Sequence, residues 1–311
     1  MNRKYVFGPV ASRRLGLSLG VDLVTPKTCS LDCIYCEAKA TTCHTLERKE
    51  YVPVDAVIAE LDDVLKSSPK LDYITFSGAG EPTLNSRIGD VVAFLKKHYP
   101  CYPVCLLTNA CSLGDKSVQR AIARIDRIIP SLDASNAEEF ICINRPAPGL
   151  DFERFVSALT DYTHRSSAEI FLELFIVPGV NDSDDSVQRF AEIIRRMRLN
   201  GVQLNSLDRP GIAEWLKPAP PETVERFIAA LQPFVPVQAV GKFAHAPLDI
   251  ADAGEVQKRI INYLRRQAAT PEEISKSLDI PPERIFILLD SLCKFGVIKM
   301  ELRDGKILCS L

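Results

Sequence analysis

The sequence predicts an α/β protein in which a parallel sheet curls into a partial, TIM-like (β/α) barrel, followed by a small C-terminal domain of different build. Two observations predict it. Short runs rich in Val, Ile and Leu alternate with amphipathic stretches from residue 17 to residue 240, as in parallel βαβ units with right-handed crossovers. That alternation stops at KFAHAPLDIADAG (242–254), an Ala- and Pro-bearing stretch, beyond which three helical patterns and a hairpin signal follow. The expected division is 1–241 for the barrel, 242–254 for a linker and 255–311 for the second domain.

The barrel elements follow in order. LSLGVDLV (17–24) reads as a strand, and VDAVIAELDDVLKSS (54–68) has helical apolar spacing. YITFSG (73–78) is a strand, IGDVVAFLKKHY (88–99) a helix and PVCLLTN (103–109) a strand. SVQRAIAR (117–124) is a short helix before the strand RIIPSLD (127–133). FERFVSALTDYTHRS (152–166) and EIFLELFIV (169–177) make the next helix and strand. SVQRFAEIIRRMR (186–198), GVQLNSL (201–207), PETVERFIAAL (221–231) and VPVQAV (235–240) complete the series. About six or seven such units are too few to close an eight-fold barrel, so an open barrel is expected, with its site at the C-terminal ends of the strands.

In the second domain EVQKRIINYLRRQ (255–267) is a helix. TPEEISKSL (270–278) is another, with Thr270 as N-cap, Pro271 at the first helical position and Glu273 completing a capping box. PPERIFILLDSLCKFG (281–296) is a third, stopped by Gly296. VIKMELRDGKILCSL (297–311) reads as two strands joined by Asp304-Gly305. Three helices and a hairpin describe a winged helix.

Composition sets limits on function. Hydrophobic residues make up 46% and charged residues 25% of the 311, which is globular composition. With 38 basic against 40 acidic residues the net charge is −2, so no global field draws the chain to nucleic acid or an anionic membrane. No apolar run approaches the roughly 18–20 residues of a membrane helix. The start MNRKYVFGPVASRR lacks the apolar core of a signal peptide, and ten cysteines then imply a reducing compartment, the cytoplasm, where clustered cysteines bind metal.

Three of those cysteines, Cys29, Cys33 and Cys36, fall within KTCSLDCIYC (27–36), just past the first strand. Three thiolates are one short of a closed metal site. Cys-x3-Cys-x2-Cys can wrap three irons of a cubane cluster and leave the fourth iron to a small molecule. The alternative is a closed zinc site in which Cys43 or His44 supplies the fourth ligand, although zinc sites usually pair two C-x2-C knuckles. One βα unit later comes SGAGEPTL (77–84), where Gly78 and Gly80 permit close backbone approach to a ligand and Glu81 brings a carboxylate suited to an ammonium group. As an ordinary Gly-rich turn the same stretch needs no ligand.

These residues resemble the radical S-adenosylmethionine (SAM) superfamily over roughly residues 5 to 240. Its cysteine signature, with an aromatic residue before the last cysteine, is matched by Cys29, Cys33, Tyr35 and Cys36. Its Gly-Gly-Glu turn, which binds the methionine amine, looks like Gly78-Ala79-Gly80-Glu81, with Ala79 at a glycine register and Pro82 continuing the recurrent GEPT form. FGPVASRRLGLSLGVDLV and KTCSLDCIYCE are similar to a narrower branch of Fe–S oxidoreductases near tRNA 4-demethylwyosine synthase. The resemblance implies a [4Fe–4S] cluster, SAM chelated at the open iron, and reductive cleavage to methionine and a 5′-deoxyadenosyl radical that abstracts hydrogen from substrate. It also implies a reductant of the flavodoxin or ferredoxin kind.

Polar residues at other strand ends are the expected SAM and substrate contacts: Asn109, Ser131, Asp133, Glu173 and Asn205. Each has a second reading as a helix cap or a satisfied turn residue. Glu173 stands out, because a carboxylate inside an apolar strand costs several kcal/mol without a partner. Arg13, Arg14 and Arg209 are candidates for a substrate anion or for salt bridges. Cys43, Cys111 and Cys142 are candidates for an auxiliary cluster, while Cys293 and Cys309 read as core of the second domain.

The leading expectation is a radical SAM enzyme acting on a peptide or protein, a small molecule or a tRNA base. The alternatives are a non-enzymatic Fe–S winged-helix regulator and a zinc-stabilised binding protein, neither of which uses the glutamate turn. DNA reading is not expected of the winged helix: its third helix offers Arg284 and Lys294 against Glu283 and Asp290. Over 255–311, ten Lys and Arg face eight Asp and Glu, so a substrate or partner protein is the expected target.

Overall fold

The structure, a computed structural model, describes residues 3–12, 14–207, 212–240, 259–265, 268–278, 280, 285, 288–289, 292–293, 297–303 and 306–311. Arg13, Arg209 and the expected linker 242–254 lie outside the described residues. The chain divides into two compact units, Met1–Ala244 and His245–Leu311.

The Val-, Ile- and Leu-rich runs of the first unit form the strands. After β1 (Val6–Ser12) come β2 (Gly16–Val21), two short strands β3 (Thr28–Cys29) and β4 (Cys43–His44), then β5 (Tyr73–Phe76), β6 (Val104–Thr108) and β7 (Arg127–Pro130). β8 (Glu169–Phe175), β9 (Gly201–Asn205) and β10 (Val237–Ala239) follow. The main sheet has the order β1-β2-β5-β6-β7-β8-β9-β10. β1 is antiparallel to β2 and every later pairing is parallel. Neighbours in the sheet succeed one another along the chain, so the sheet winds one way and ends on two edges, the expected partial barrel.

Helices join the strands: α1 (Val54–Leu65), α2 (Ile88–His98), α3 (Lys116–Ala121), a short α4 (Ala137–Glu139), α5 (Phe152–Arg165), α6 (Asp184–Ile194) and α7 (Pro221–Leu231). Their starts are chemically marked. Asp115, Asp151 and Ser183 accept the backbone N–H of Ser117, Arg154 and Ser186, supplying partners the helix itself lacks. α5 buries Phe152, Phe155, Val156, Leu159 and Tyr162, one stripe at helical spacing.

Period-two alternation then divides the strand residues between two faces. Ile74, Phe76, Leu106, Ile128, Ile170, Leu172, Val202 and Leu204 join the helices in the main core. Cys105 and Ile129 face the barrel interior with Leu15, Tyr73, Leu107 and Phe171. The Arg127 guanidinium carbon sits 5.1 Å from the Tyr73 ring centre and 4.6 Å from that of Phe171, filling the interior near the N-terminal ends of the strands. Further along the strands the interior turns polar. Ser18 and Thr75 share a 2.6 Å hydrogen bond, and Arg14 meets Glu173 at 2.6 Å. Arg14 therefore ends on a carboxylate of its own chain, and Glu173 has the partner its position demands.

In the second unit, helical residues 259–264 precede the helix Pro271–Leu278. The capping box is present: Glu273 N donates to Thr270 Oγ1 at 3.2 Å, and Thr270 N donates to a Glu273 carboxylate oxygen at 2.8 Å. β11 (Lys299–Arg303) pairs antiparallel with β12 (Lys306–Ser310), with Arg303 opposite Lys306. Ile260, Leu264, Ile274, Ile285, Leu288, Leu289, Ile298 and Cys309 form its core, with Cys293 packed against it. Much of the third expected helix, 281–296, lies outside the described residues, as does the Asp304-Gly305 turn. Among the described residues, no helix is long and apolar enough to cross a membrane.

Candidate functional site

The cysteine loop leaves the C-terminal end of β2 and returns on itself. Thr28 and Cys29 pair in parallel with Cys43 and His44, and Lys27 O accepts Thr42 N and Cys43 N at 3.0 and 2.9 Å. From the other side Asn144 O and Ile143 O accept Asp32 N and Ile34 N, each at 2.9 Å. Asn144 ends a π-helical turn (Phe140–Asn144) that continues α4, and Arg145 after it is left-handed at φ 45°. Single π turns of this kind are frequent at functional sites.

All three loop sulfurs receive N–H donors. Lys27 Nζ lies 3.5 Å from Cys36 Sγ, and Asn144 Nδ2 lies 3.3 Å from Cys33 Sγ. Cys29 Sγ accepts from Leu31 N at 3.5 Å and from Asn109 Nδ2 at 3.4 Å. Burial pushes the Cys29 thiol up to about 12 and the Cys33 thiol well above its ordinary value. Metal binding releases the protons of such thiols. The donor set therefore fits a thiolate-bound iron–sulfur cluster.

A closed zinc site fits less well. Cys43 is exposed, and His44 Nε2 sits 3.2 Å from Ser30 O. Among the described residues no three His, Cys, Asp or Glu side chains gather in single-ion geometry, whereas cluster thiolates each take a different iron. Cys142 is exposed too, and Cys111 is half-buried beside Cys29 and Glu81; desolvation, helped by those two charges, pushes its thiol up.

Glu81 lies against the loop, its N–H donating to Thr28 O at 3.0 Å. Its carboxylate turns inward. Oε1 accepts Thr83 N at 3.1 Å, Thr83 Oγ1 at 2.6 Å and Thr108 Oγ1 at 2.7 Å, while Oε2 accepts Asn109 N at 2.7 Å. Burial raises its pKa and these donors oppose the rise. Three of the four donors fall on Oε1 and one on Oε2, so Glu81 caps the 3₁₀ turn Pro82–Leu84, holds the end of β6 and keeps an acceptor position on Oε2. The glycines answer close approaches within the chain: a Cβ on Gly80 would stand 2.2 Å from Thr28 O, and one on Gly78 (φ 120°) 1.6 Å from Asp22 Oδ1.

Asp133 is likewise engaged from within. Its carboxylate accepts Tyr35 OH at 2.5 Å, Asn144 Nδ2 at 2.8 Å and Phe175 N at 3.0 Å, and burial pushes its pKa up to about 6. Tyr35 stacks on Phe175, with ring centres 3.9 Å apart and planes 7° from parallel. Asn109 serves three groups, adding Ser30 Oγ at 2.9 Å to Cys29 and Glu81. Ser131 stands beside Glu173 across β7 and β8, and Asn205 Nδ2 donates to Glu173 Oε1 at 2.8 Å. Lys27, Thr108 and Asn144 escaped the sequence reading. Lys27 was visible only as a cation two residues before Cys29, and nothing local marked the other two.

A sheet that winds one way and a three-cysteine loop over its strand ends define a class of cluster-dependent α/β proteins. The model of the Radical SAM superfamily matches residues 23–191, more than half of the chain, and the chain belongs to that superfamily. The particular group is the UPF0026 proteins: the Helicobacter pylori (strain J99) member is 30% identical over 212 residues, 67% of this chain and 68% of that protein. A protein of Brachyspira hyodysenteriae named GTPase Obg is 32% identical over 98% of this chain, which spans only 45% of that relative's length. In fold, the chain is similar to a radical SAM methyltransferase from Sphaerobacter thermophilus (TM-score 0.57, 18% identity, 71% of this chain and 65% of that one). It is also similar to TYW1 with a lysine–pyruvate adduct bound (TM-score 0.52, 14% identity, 70% and 74%).

Proposed function

We propose that the protein is a radical SAM enzyme in which Cys29, Cys33 and Cys36 hold a [4Fe–4S] cluster and SAM binds beside it. The superfamily's cofactors are that cluster and SAM. The observation that carries the reading is the position of the three thiols, in one loop, each facing an N–H donor, over the strand ends. When bound, the cluster supplies the electron for reductive cleavage of SAM and hence the 5′-deoxyadenosyl radical that takes hydrogen from substrate.

The chain's own residues have separable tasks. Tyr35, Phe175, Ile34, Ile143, Val177 and Leu216 form an apolar flank that keeps water from the sulfurs. Asp133 anchors that flank through Tyr35 OH and fixes Asn144. Glu81 acts as a positioning residue: it holds Asn109 against Cys29 and Ser30. The backbone of Gly78 and Gly80, with Pro82 starting the turn behind them, and Ser131 are the proposed edges of the SAM site. Interior Glu173 and Asn205 face the substrate side.

Residues 255–311 are proposed as a winged helix that recognises substrate or a partner protein, on the near balance of its charges. A low-potential reductant of the flavodoxin or ferredoxin kind is the implied electron source, and a reducing compartment such as the cytoplasm suits both. The test is anaerobic reconstitution followed by iron and sulfide analysis. About four irons and four sulfides per chain are expected, lost in Cys33→Ala. Stoichiometric zinc in a colourless protein would overturn the reading.

A further inference from the structure

Each cysteine sulfur of the loop has its own side-chain donor, and the three donors come from different parts of the chain. Lys27 serves Cys36 from the turn entering the loop, Asn109 serves Cys29 from the turn after β6, and Asn144 serves Cys33 from the π turn. The orientation of both amides is fixed independently of sulfur. Asn144 Nδ2 also donates to the carboxylate of Asp133, and Asn109 Oδ1 accepts Cys111 N at 3.1 Å, which leaves its Nδ2 facing Cys29 and Ser30. A neutral thiol is a weak acceptor and does not require a dedicated amide or ammonium. One donor per sulfur fits sulfurs that carry negative charge.

Resting on the cluster reading above, we infer that Lys27, Asn109 and Asn144 set the reduction potential of the cluster and raise it. Hydrogen bonds to the sulfurs are among the determinants of an iron–sulfur potential. One electron from the low-potential reductant adds one negative charge, part of which falls on the sulfurs. An N–H donor stabilises that charge, so it favours the reduced form over the oxidised one. Lys27 adds a full positive charge and has the largest expected effect. The three residues are positioning groups that act through the thiolates, and they leave the count of irons unchanged.

The experiment uses the full chain, reconstituted anaerobically and titrated without SAM, with the reduced cluster followed by electron paramagnetic resonance. Asn144→Leu, Asn109→Leu and Lys27→Met remove one donor each while keeping a side chain of similar size, and Lys27→Arg keeps the charge. The three neutral variants are expected to hold full iron and sulfide with a more negative midpoint. A tenfold loss in the reduced-to-oxidised ratio at fixed potential corresponds to about 59 mV for a one-electron couple. Lys27→Arg is expected to stay near the parent. If a leucine variant fails to fold, the alanine variant at that position carries the same expectation. Fully loaded variants that titrate at the parent's midpoint overturn this inference alone, because a merely structural role moves stability and iron content but not potential. A parent chain that binds no iron overturns the proposed function instead.

Discussion

The Glu81 carboxylate ends 2.7 Å from the backbone N–H of Asn109, tying the turn after β5 to the turn after β6. The same carboxylate takes both donors of Thr83 and the hydroxyl of Thr108, and it offers no donor of its own. Glu81→Gln keeps the shape but points an amide N–H at one of these donors. A buried group left unpaired costs about 1–3 kcal/mol. The midpoint of urea unfolding should therefore fall, and Asn109 should loosen from Cys29. An unchanged midpoint would show that the glutamate is not held by these bonds.

Asp133 makes the stability of the cluster-free chain depend on pH. Burial raises its folded pKa to about 6 from an ordinary 3.8, so between these values the folded state binds more protons than the unfolded one. Its contribution is present below pH 3.8 and is lost as pH rises through 6, amounting to on the order of 3 kcal/mol. The measurement is the difference in unfolding free energy between parent and Asp133→Asn from pH 4 to 7. That difference should shift against the parent as pH rises, and a flat difference would refute the assignment.

Arg14 and Glu173 are a mostly buried pair, with side chains 20% and 16% exposed. Removing one partner strands the other charge, so Glu173→Ala is expected to destabilise by about 3–5 kcal/mol. Combining it with Arg14→Met should recover part of that loss. Chemical denaturation of the four proteins in the cycle provides the check, and simple additivity would mean that the two charges do not interact.

The near balance of charge over 255–311 predicts weak, nonspecific binding to nucleic acid. The full chain, titrated with random duplex DNA and with bulk tRNA across a salt series, should show a shallow salt slope for both. Tight binding to tRNA with a steep slope would instead show a nucleic-acid-binding face and favour a tRNA substrate.

The sequence made the parallel strands and long helices legible because their apolar periods are strong. The helix 221–231 has the expected bounds, and the other expected helices of the first unit differ by a few residues at their ends. β1 has no strand pattern in the sequence, because FGPVAS carries Gly and Pro, and its pairing with β2 is irregular between Phe7 and Val10. The π turn Phe140–Asn144 has no period that distinguishes it from a loop. The cysteine loop and the glutamate turn were visible as spacing. What each side chain does there was not, since Asn144 reaches Cys33 across 111 residues and Glu81 reaches Asn109 across 28. Local sequence does not reveal such long-range hydrogen bonds.

Radical SAM chemistry in this chain shows most directly in the 5′-deoxyadenosine formed from SAM by the reconstituted, dithionite-reduced protein under anaerobic conditions. 5′-Deoxyadenosine and methionine are expected in equal amounts from the parent, and neither from Cys33→Ala. A fully loaded and reduced parent that leaves SAM intact would contradict this.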